Sequence, residues 1–276
     1  TWYWEDVAYG LNRLQEIALG GGRYVYPVSE GACLIHLPAE NRRYEEYAIL
    51  NAGGAYGAVC TMVEALPAAA KLNELGMDCF CLNYRTATRD SFKDGLMPKP
   101  LEDLALAWKY IKNNEAAFRL DAENYIVGGF SAGGHLTAMW GAENRGARHF
   151  GIPNPRALLL AYPLIGLENL SGPAARLLCS GLLGIHSGKE KTAEYTASRQ
   201  VGSGYPPVYL IQAEDDNTVP KQDAMDMEMA LINAGIPHSI ERVPSGGHGF
   251  GLGTATAANG WISRALDFAE ENRYAK

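Results

Sequence analysis

Residues 127–140, VGGFSAGGHLTAMW, close an apolar run on two glycines, turn through Ser131 between small residues, and go on with helical spacing. A serine so placed is a helix cap, a turn filler or a nucleophile. The flanks favour the last. A strand that passes directly into a helix needs a very tight turn, and only very small residues fit two positions either side of its apex. Gly129 and Gly133 meet that need. The turn lifts the Ser131 hydroxyl above a sheet, and the following helix aims its N-terminal amides at the same spot.

The rest of the chain supplies a sheet for this turn. From residue 44 onward, short apolar runs alternate with helical patterns. The spacing predicts strands over 47–54, 77–85, 124–129, 156–166, 206–214 and 238–244. It predicts helices over 56–76, 100–114, 132–143, 221–235 and 259–273, with Gly76 and Gly235 as C-caps. Pro67 within 56–76 predicts a kink or a late start. Leu101, Leu104, Ala105, Trp108 and Ile111 mark the buried side of 100–114. Strands that are apolar almost throughout, each followed by a helix, imply a mainly parallel sheet covered on both faces. Chemistry in such a sheet belongs in the loops after the strands.

Those loops carry the partners a serine nucleophile needs. SGGHGFG (245–251) follows the last predicted strand and presents His248 as a base. QAEDDNTVP (212–220) follows the strand before it and offers Glu214, Asp215 and Asp216. Asp216 is taken as the group that orients the imidazole. His135, four residues after Ser131, is the rival histidine and is expected to pack or hydrogen-bond locally. Oxyanion donors are expected from the amide of Ala132 and from NAGGAY (51–56), at Gly53, Gly54 and Ala55. Tyr56, Tyr84 and Phe130 are candidates to line a pocket, where aromatic faces would suit a sugar, and are equally candidates for the core.

With these motifs in place, the chain resembles the α/β-hydrolase superfamily. More narrowly, it is similar to small esterases of the hormone-sensitive-lipase-like, acetyl-xylan esterase and BD-FAE type. LEDLALAWKYI…LDAENYIVGGFSAGGHL is similar to that group's stretch around its serine. NAGGAY stands where the group has H-G-G-G or P-G-G-G-Y, DDNTVP where it has D-x-x-V-P, and SGGHGFGLG where it has its histidine loop. The resemblance covers roughly residues 45–270. It implies an α/β-hydrolase fold with a small or partial cap, and Ser131, Asp216 and His248 as a triad. It also implies hydrolysis of short-chain acyl esters, acetyl groups on carbohydrates among them, with no cofactor or metal. Asn51-Ala52 and Ala55 depart from the oxyanion motif. A backbone donor tolerates Ala55 while its φ stays negative, so a working hole is expected. Amide-cleaving hydrolases of the arylformamidase or peptidase type use the same triad, and some chains of this fold bind without catalysis. Both remain alternatives.

Bulk composition agrees. The 276 residues include 24 Lys and Arg against 31 Asp and Glu, a formal net charge of -7 with no basic cluster. Nucleic acid is therefore not an expected partner, and no apolar run reaches membrane-span length. The expected partner is a small-molecule or carbohydrate ester. The length suits a single α/β domain over 1–276, with 1–43 as an antiparallel edge or flap and 167–205 as a lid-like insertion. The five cysteines form no CxxC pair and read as buried free thiols. That suits a cytoplasmic protein, although a secreted one whose signal peptide had been removed would look the same.

Overall fold

The structure is a computed structural model and describes residues 2–273. Its strands are β1 (Val25–Ser29), β2 (Ala32–Leu37), β3 (Tyr47–Asn51), β4 (Asp78–Asn83), β5 (Tyr125–Phe130), β6 (Leu158–Ala161), β7 (Val208–Ala213) and β8 (His238–Val243). They form one sheet in the order β1-β2-β4-β3-β5-β6-β7-β8. The β1–β2 and β2–β4 pairs are antiparallel, and every later pair is parallel. The parallel part carries the alternating pattern, and residues 25–37 add the antiparallel edge.

The helical segments are α1 (Trp4–Leu19), α2 (Ala65–Leu75), α3 (Ser91–Asp94), α4 (Lys99–Asn113), α5 (Glu115–Phe118), α6 (Ser131–Trp140), α7 (Gly172–Leu183), α8 (Lys189–Glu194), α9 (Lys221–Ala234) and α10 (Trp261–Glu271). Strand side chains alternate between two cores, as the pleat requires. Tyr47, Ile49, Leu158, Leu160, Val208 and Leu210 pack with Leu104 and Trp108 of α4, Leu136 of α6 and Met227 of α9. Ala48, Leu50, Leu159, Tyr209 and Ile211 pack with Leu66 of α2 and Leu266 of α10, with Leu14 of α1 beside them. All five residues expected on the inner side of 100–114 are buried. Cys79 and Cys81 are fully buried free thiols in the second core.

Two expected elements are shorter than the sequence suggested. The helix expected over 56–76 begins only at Ala65, so Pro67 marks a late start rather than a kink. Residues 54–58 instead form a tight turn in which Gly54 C=O accepts from the amides of Gly57 and Ala58, at 3.0 and 3.1 Å. The strand expected over 156–166 ends at Ala161, because Tyr162 adopts φ +38° and Pro163 follows.

The backbone around Ser131 is tightly crowded. A Cβ on Gly133 would lie 2.1 Å from Asn51 O, and one on Gly129 would lie 2.3 Å from Gly133 O. Neither obstacle is a side chain that can rotate away. Gly133→Ala is expected to cost at least about 3 kcal/mol, at or beyond the upper end of ordinary overpacking. A thermal unfolding curve reads this directly, and an unchanged Tm would contradict the packing described.

Candidate active site

β5 occupies the middle of the sheet, between β3 and β6. The loops after β3, β5, β7 and β8 all open at the carboxyl edge of the parallel strands, so residues far apart in sequence converge there. Ser131 begins α6 directly after β5 with φ +51°, a left-handed value unusual for a residue with a Cβ. Its Oγ lies 2.8 Å from His248 Nε2, and His248 Nδ1 lies 2.9 Å from Asp216 Oδ2. A carboxylate can only accept, so Nδ1 carries the proton. Nε2 then accepts from the serine hydroxyl.

Asp216 is 6% exposed. Burial works to raise its carboxyl pKa. The hydrogen bond and charge of His248, with the amides of Val219 and Thr218, outweigh burial and hold it below the ordinary carboxylate value. The other two acids of the loop do different work. Asp215 Oδ1 accepts from Gly247 N–H at 2.7 Å and so anchors the histidine loop, whereas Glu214 pairs with Lys221 at 3.0 Å.

The loop after β3 has its peptide planes held from behind. Ala52 C=O accepts from Tyr84 Oη–H at 2.6 Å, and Gly53 C=O accepts from Cys60 N–H at 2.9 Å. In a trans peptide the N–H points opposite to the carbonyl of the same plane. Holding the carbonyls of Gly53 and Gly54 therefore aims the amides of Gly54 and Ala55 the other way. Those two amides and that of Ala132 donate to no protein group among the described residues.

The expectations for this loop need two corrections. Gly53 is not a free donor, because its N–H is given to Glu64 Oε2 at 2.5 Å. Its smallness matters instead, since a Cβ there would lie 2.7 Å from Ser131 Cβ. Ala55 does not keep a negative φ: it sits at +51° and Tyr56 at +58°. The turn closed by Gly54 C=O forces both into the left-handed region, at a cost of order 1–2 kcal/mol each.

The expected aromatic pocket is also corrected. Tyr84 and Phe130 are core residues, the first bound to Ala52 and the second packed against Tyr162 and Trp261. Tyr56 is buried, although its residue borders a cavity of about 730 Å³. That cavity's wall includes Phe92, Leu170, Ala174, Leu178, Leu182 and Val219, and Ala55 and Asp216 also line it. Its lining comes largely from the 167–205 segment, where the sequence pattern was least regular.

His135, expected to pack or hydrogen-bond locally, is buried and has distant partners. Nδ1 lies 2.7 Å from Tyr56 Oη and Nε2 lies 2.6 Å from Tyr195 O. The carbonyl can only accept, so Nε2 is protonated and Tyr56 donates to Nδ1. One neutral imidazole on α6 thus holds the left-handed end of the loop after β3 and residue 195 together. Among the described residues, no group of three His, Cys, Asp or Glu could hold a metal ion, and no helix is long and apolar enough to cross a membrane.

The family follows from comparison. A family model for BD-FAE matches residues 34–231, well over half of the chain. The chain belongs to the BD-FAE family. An endo-1,4-β-xylanase B of Butyrivibrio fibrisolvens is 27% identical over 215 residues, which are 76% of this BD-FAE chain and 33% of that protein. An acetylxylan esterase of Xylanibacter ruminicola is 28% identical over 206 residues, 73% of this chain and 40% of that protein. The chain thus spans well under half the length of either relative. Its α/β-hydrolase fold is shared with an acetyl ester-xyloside bifunctional hydrolase from Caldicellulosiruptor lactoaceticus. That match has a TM-score of 0.73 and 24% identity, and covers 90% of this chain and 94% of the other. A carboxylesterase from Lactobacillus plantarum matches with a TM-score of 0.70 and 23% identity, over 87% and 92% of the two chains.

Burial drives the pKa of His135 from 6.5 down to about 4, only partly offset by its bond to Tyr195. The folded state therefore keeps this group neutral where the unfolded chain takes up a proton. Its contribution is complete above pH 6.5 and is lost as the pH falls toward 4. Between pH 7 and pH 5 the linkage amounts to about 2 kcal/mol. Urea unfolding at both pH values, on wild type and His135→Gln, is expected to show this extra loss in wild type alone.

Proposed function

We propose that this BD-FAE chain is a serine carboxylesterase. The observation that carries the reading is the unbroken chain Ser131 Oγ–His248–Asp216, at 2.8 and 2.9 Å, beside three unengaged backbone amides. His248 Nε2 takes the hydroxyl proton as Ser131 Oγ forms a bond to the ester carbonyl carbon. The carbonyl electron pair moves onto oxygen, where the amides of Gly54, Ala55 and Ala132 meet the developing charge. The oxyanion collapses, the carbon–alkoxy bond breaks, and the proton on Nε2 passes to the departing alcohol. Water then enters, gives its proton to Nε2, and releases the acid and Ser131 by the same steps in reverse. Asp216 keeps the imidazole in the working tautomer throughout.

For the substrate, the names of the relatives favour esters on carbohydrate, acetylated xylan among them. The cavity adds a requirement of its own. Its wall is mainly apolar, with Asn169, Ser171, Asn217 and Thr218 as its uncharged polar members, and suits an apolar group on one side of the ester. We therefore assign that space to the apolar part of the substrate, with any sugar ring outside it. No particular feature of the site favours an amide bond over an ester.

Two measurements test this reading. Ser131→Ala is expected to fold normally and to lose at least about 10⁴-fold in kcat on p-nitrophenyl esters; retained turnover would overturn it. Leu178→Trp, which fills the cavity, is expected to lower kcat/KM for the octanoate about tenfold or more while sparing the acetate. Equal effects on both chain lengths would place the apolar group elsewhere.

A further inference from the structure

A carboxylate that the steps above leave unused lies beneath the oxyanion loop. Glu64 stands just before α2 and is 3% exposed. Its Oε2 accepts from Gly53 N–H at 2.5 Å and its Oε1 from Tyr162 Oη–H at 3.2 Å. Tyr162 Oη in turn accepts from Gly251 N–H at 3.2 Å, three residues beyond His248. The Tyr162 ring also meets the His248 ring edge to face, with centroids 5.1 Å apart. One buried carboxylate therefore ties the loop after β3 to the loop after β8.

The arrangement is costly for a purely structural clamp. A buried carboxylate needs its lone pairs filled, and the partners that do so for Glu64 are the Gly53 amide and the Tyr162 hydroxyl, with the charge of His248 nearby. What it supplies is two acceptor oxygens on one rigid plane, each taking a donor from a different loop. The Ala52–Gly53 peptide is then held at both ends, by Tyr84 on its carbonyl and by Glu64 on its amide. With glycine at 53 and 54, this plane has little else to resist rotation, and it sets where the loop starts before Cys60, Gly57 and Ala58 hold the next two planes.

Resting on the esterase reading, we propose that Glu64 is a positioning residue for the oxyanion hole. It fixes the peptide plane at which the loop carrying the Gly54 and Ala55 amides starts, and through Tyr162 it keeps that loop in register with His248. Glu64 touches no substrate. Its effect should fall on the transition state, where the carbonyl oxygen carries charge, and not on ground-state binding.

The test uses Glu64→Ala, Glu64→Gln and Tyr162→Phe in the whole chain. On p-nitrophenyl acetate, Glu64→Ala is expected to lower kcat about 10²-fold, the scale of one oxyanion donor, with KM within about threefold of wild type. Glu64→Gln keeps an oxygen for the Gly53 amide and should regain about tenfold of that loss. Tyr162→Phe breaks only the bridge and should lower kcat about tenfold. The rate at which a fluorophosphonate labels Ser131 should follow the same order. A folded Glu64→Ala protein with wild-type kcat, a loss confined to KM, or a Gln variant no better than Ala would overturn the proposal. If Glu64→Ala fails to fold, wild-type kcat in both other variants overturns it. The labelling rate separates this inference from the esterase reading. A wild type that turns over no ester but is labelled faster than Glu64→Ala sinks the reading and keeps the positioning role.

Discussion

The close approach of three backbone segments around Ser131 is the constraint on which the site depends. β5 must turn into α6 with no intervening loop, and the end of β3 must pass within contact distance of that turn. Glycine at 53, 129 and 133 leaves the space, and Ser131 accepts a left-handed φ. Strain of this kind costs of order 1–3 kcal/mol and persists only where the surroundings over-determine it. Here they do. β5 is central, wholly buried and paired on both sides by parallel neighbours, so the turn at its end cannot relax without breaking the sheet.

The polar groups around the turn extend the same logic. Several of them have a partner brought from elsewhere in the chain, and two of these partners, Tyr84 and His135, lie out of water. Tyr84 holds Ala52, Cys60 holds Gly53 C=O, His135 holds Tyr56, and Asp215 holds Gly247. A hydrogen bond in a poorly solvated interior is worth more than at the surface, and losing one partner strands the other. The loops are therefore rigid although they have no regular structure. The apolar cavity beside them takes part of its wall from α7.

The places where pattern and structure part are instructive. The helical spacing of 56–64 is real, yet the residues form turns, because Ala55 and Tyr56 enter the left-handed region, from which a right-handed helix cannot run on. Ala55 was expected to keep an ordinary backbone angle. Gly53 was read as a donor because glycine turns after strands expose amides; nothing in its neighbourhood along the chain shows that Glu64, eleven residues on, takes that amide. Tyr84 and Phe130 looked like pocket residues because an aromatic beside a site reads the same whether it faces inward or outward. Glu64, Tyr162 and the distant bonds of His135 gave no signal at all, since burial and partnership are properties of the packed chain.

Local chemistry determined what local chemistry can determine. The strand–turn–helix around Ser131, the alternation of apolar runs and helices, and the order of serine, acid and histidine loops were all readable. Steric limits on a tight turn and the periods of strand and helix act within a few residues. The comparison that shows the BD-FAE family agrees with the resemblance drawn from those motifs. The tertiary structure alone decided which oxygen holds which amide, how the loop after β3 is anchored, and where the apolar cavity lies. Those outcomes depend on contacts that range from a few residues to over a hundred apart along the chain, and they are set once the two faces of the sheet pack.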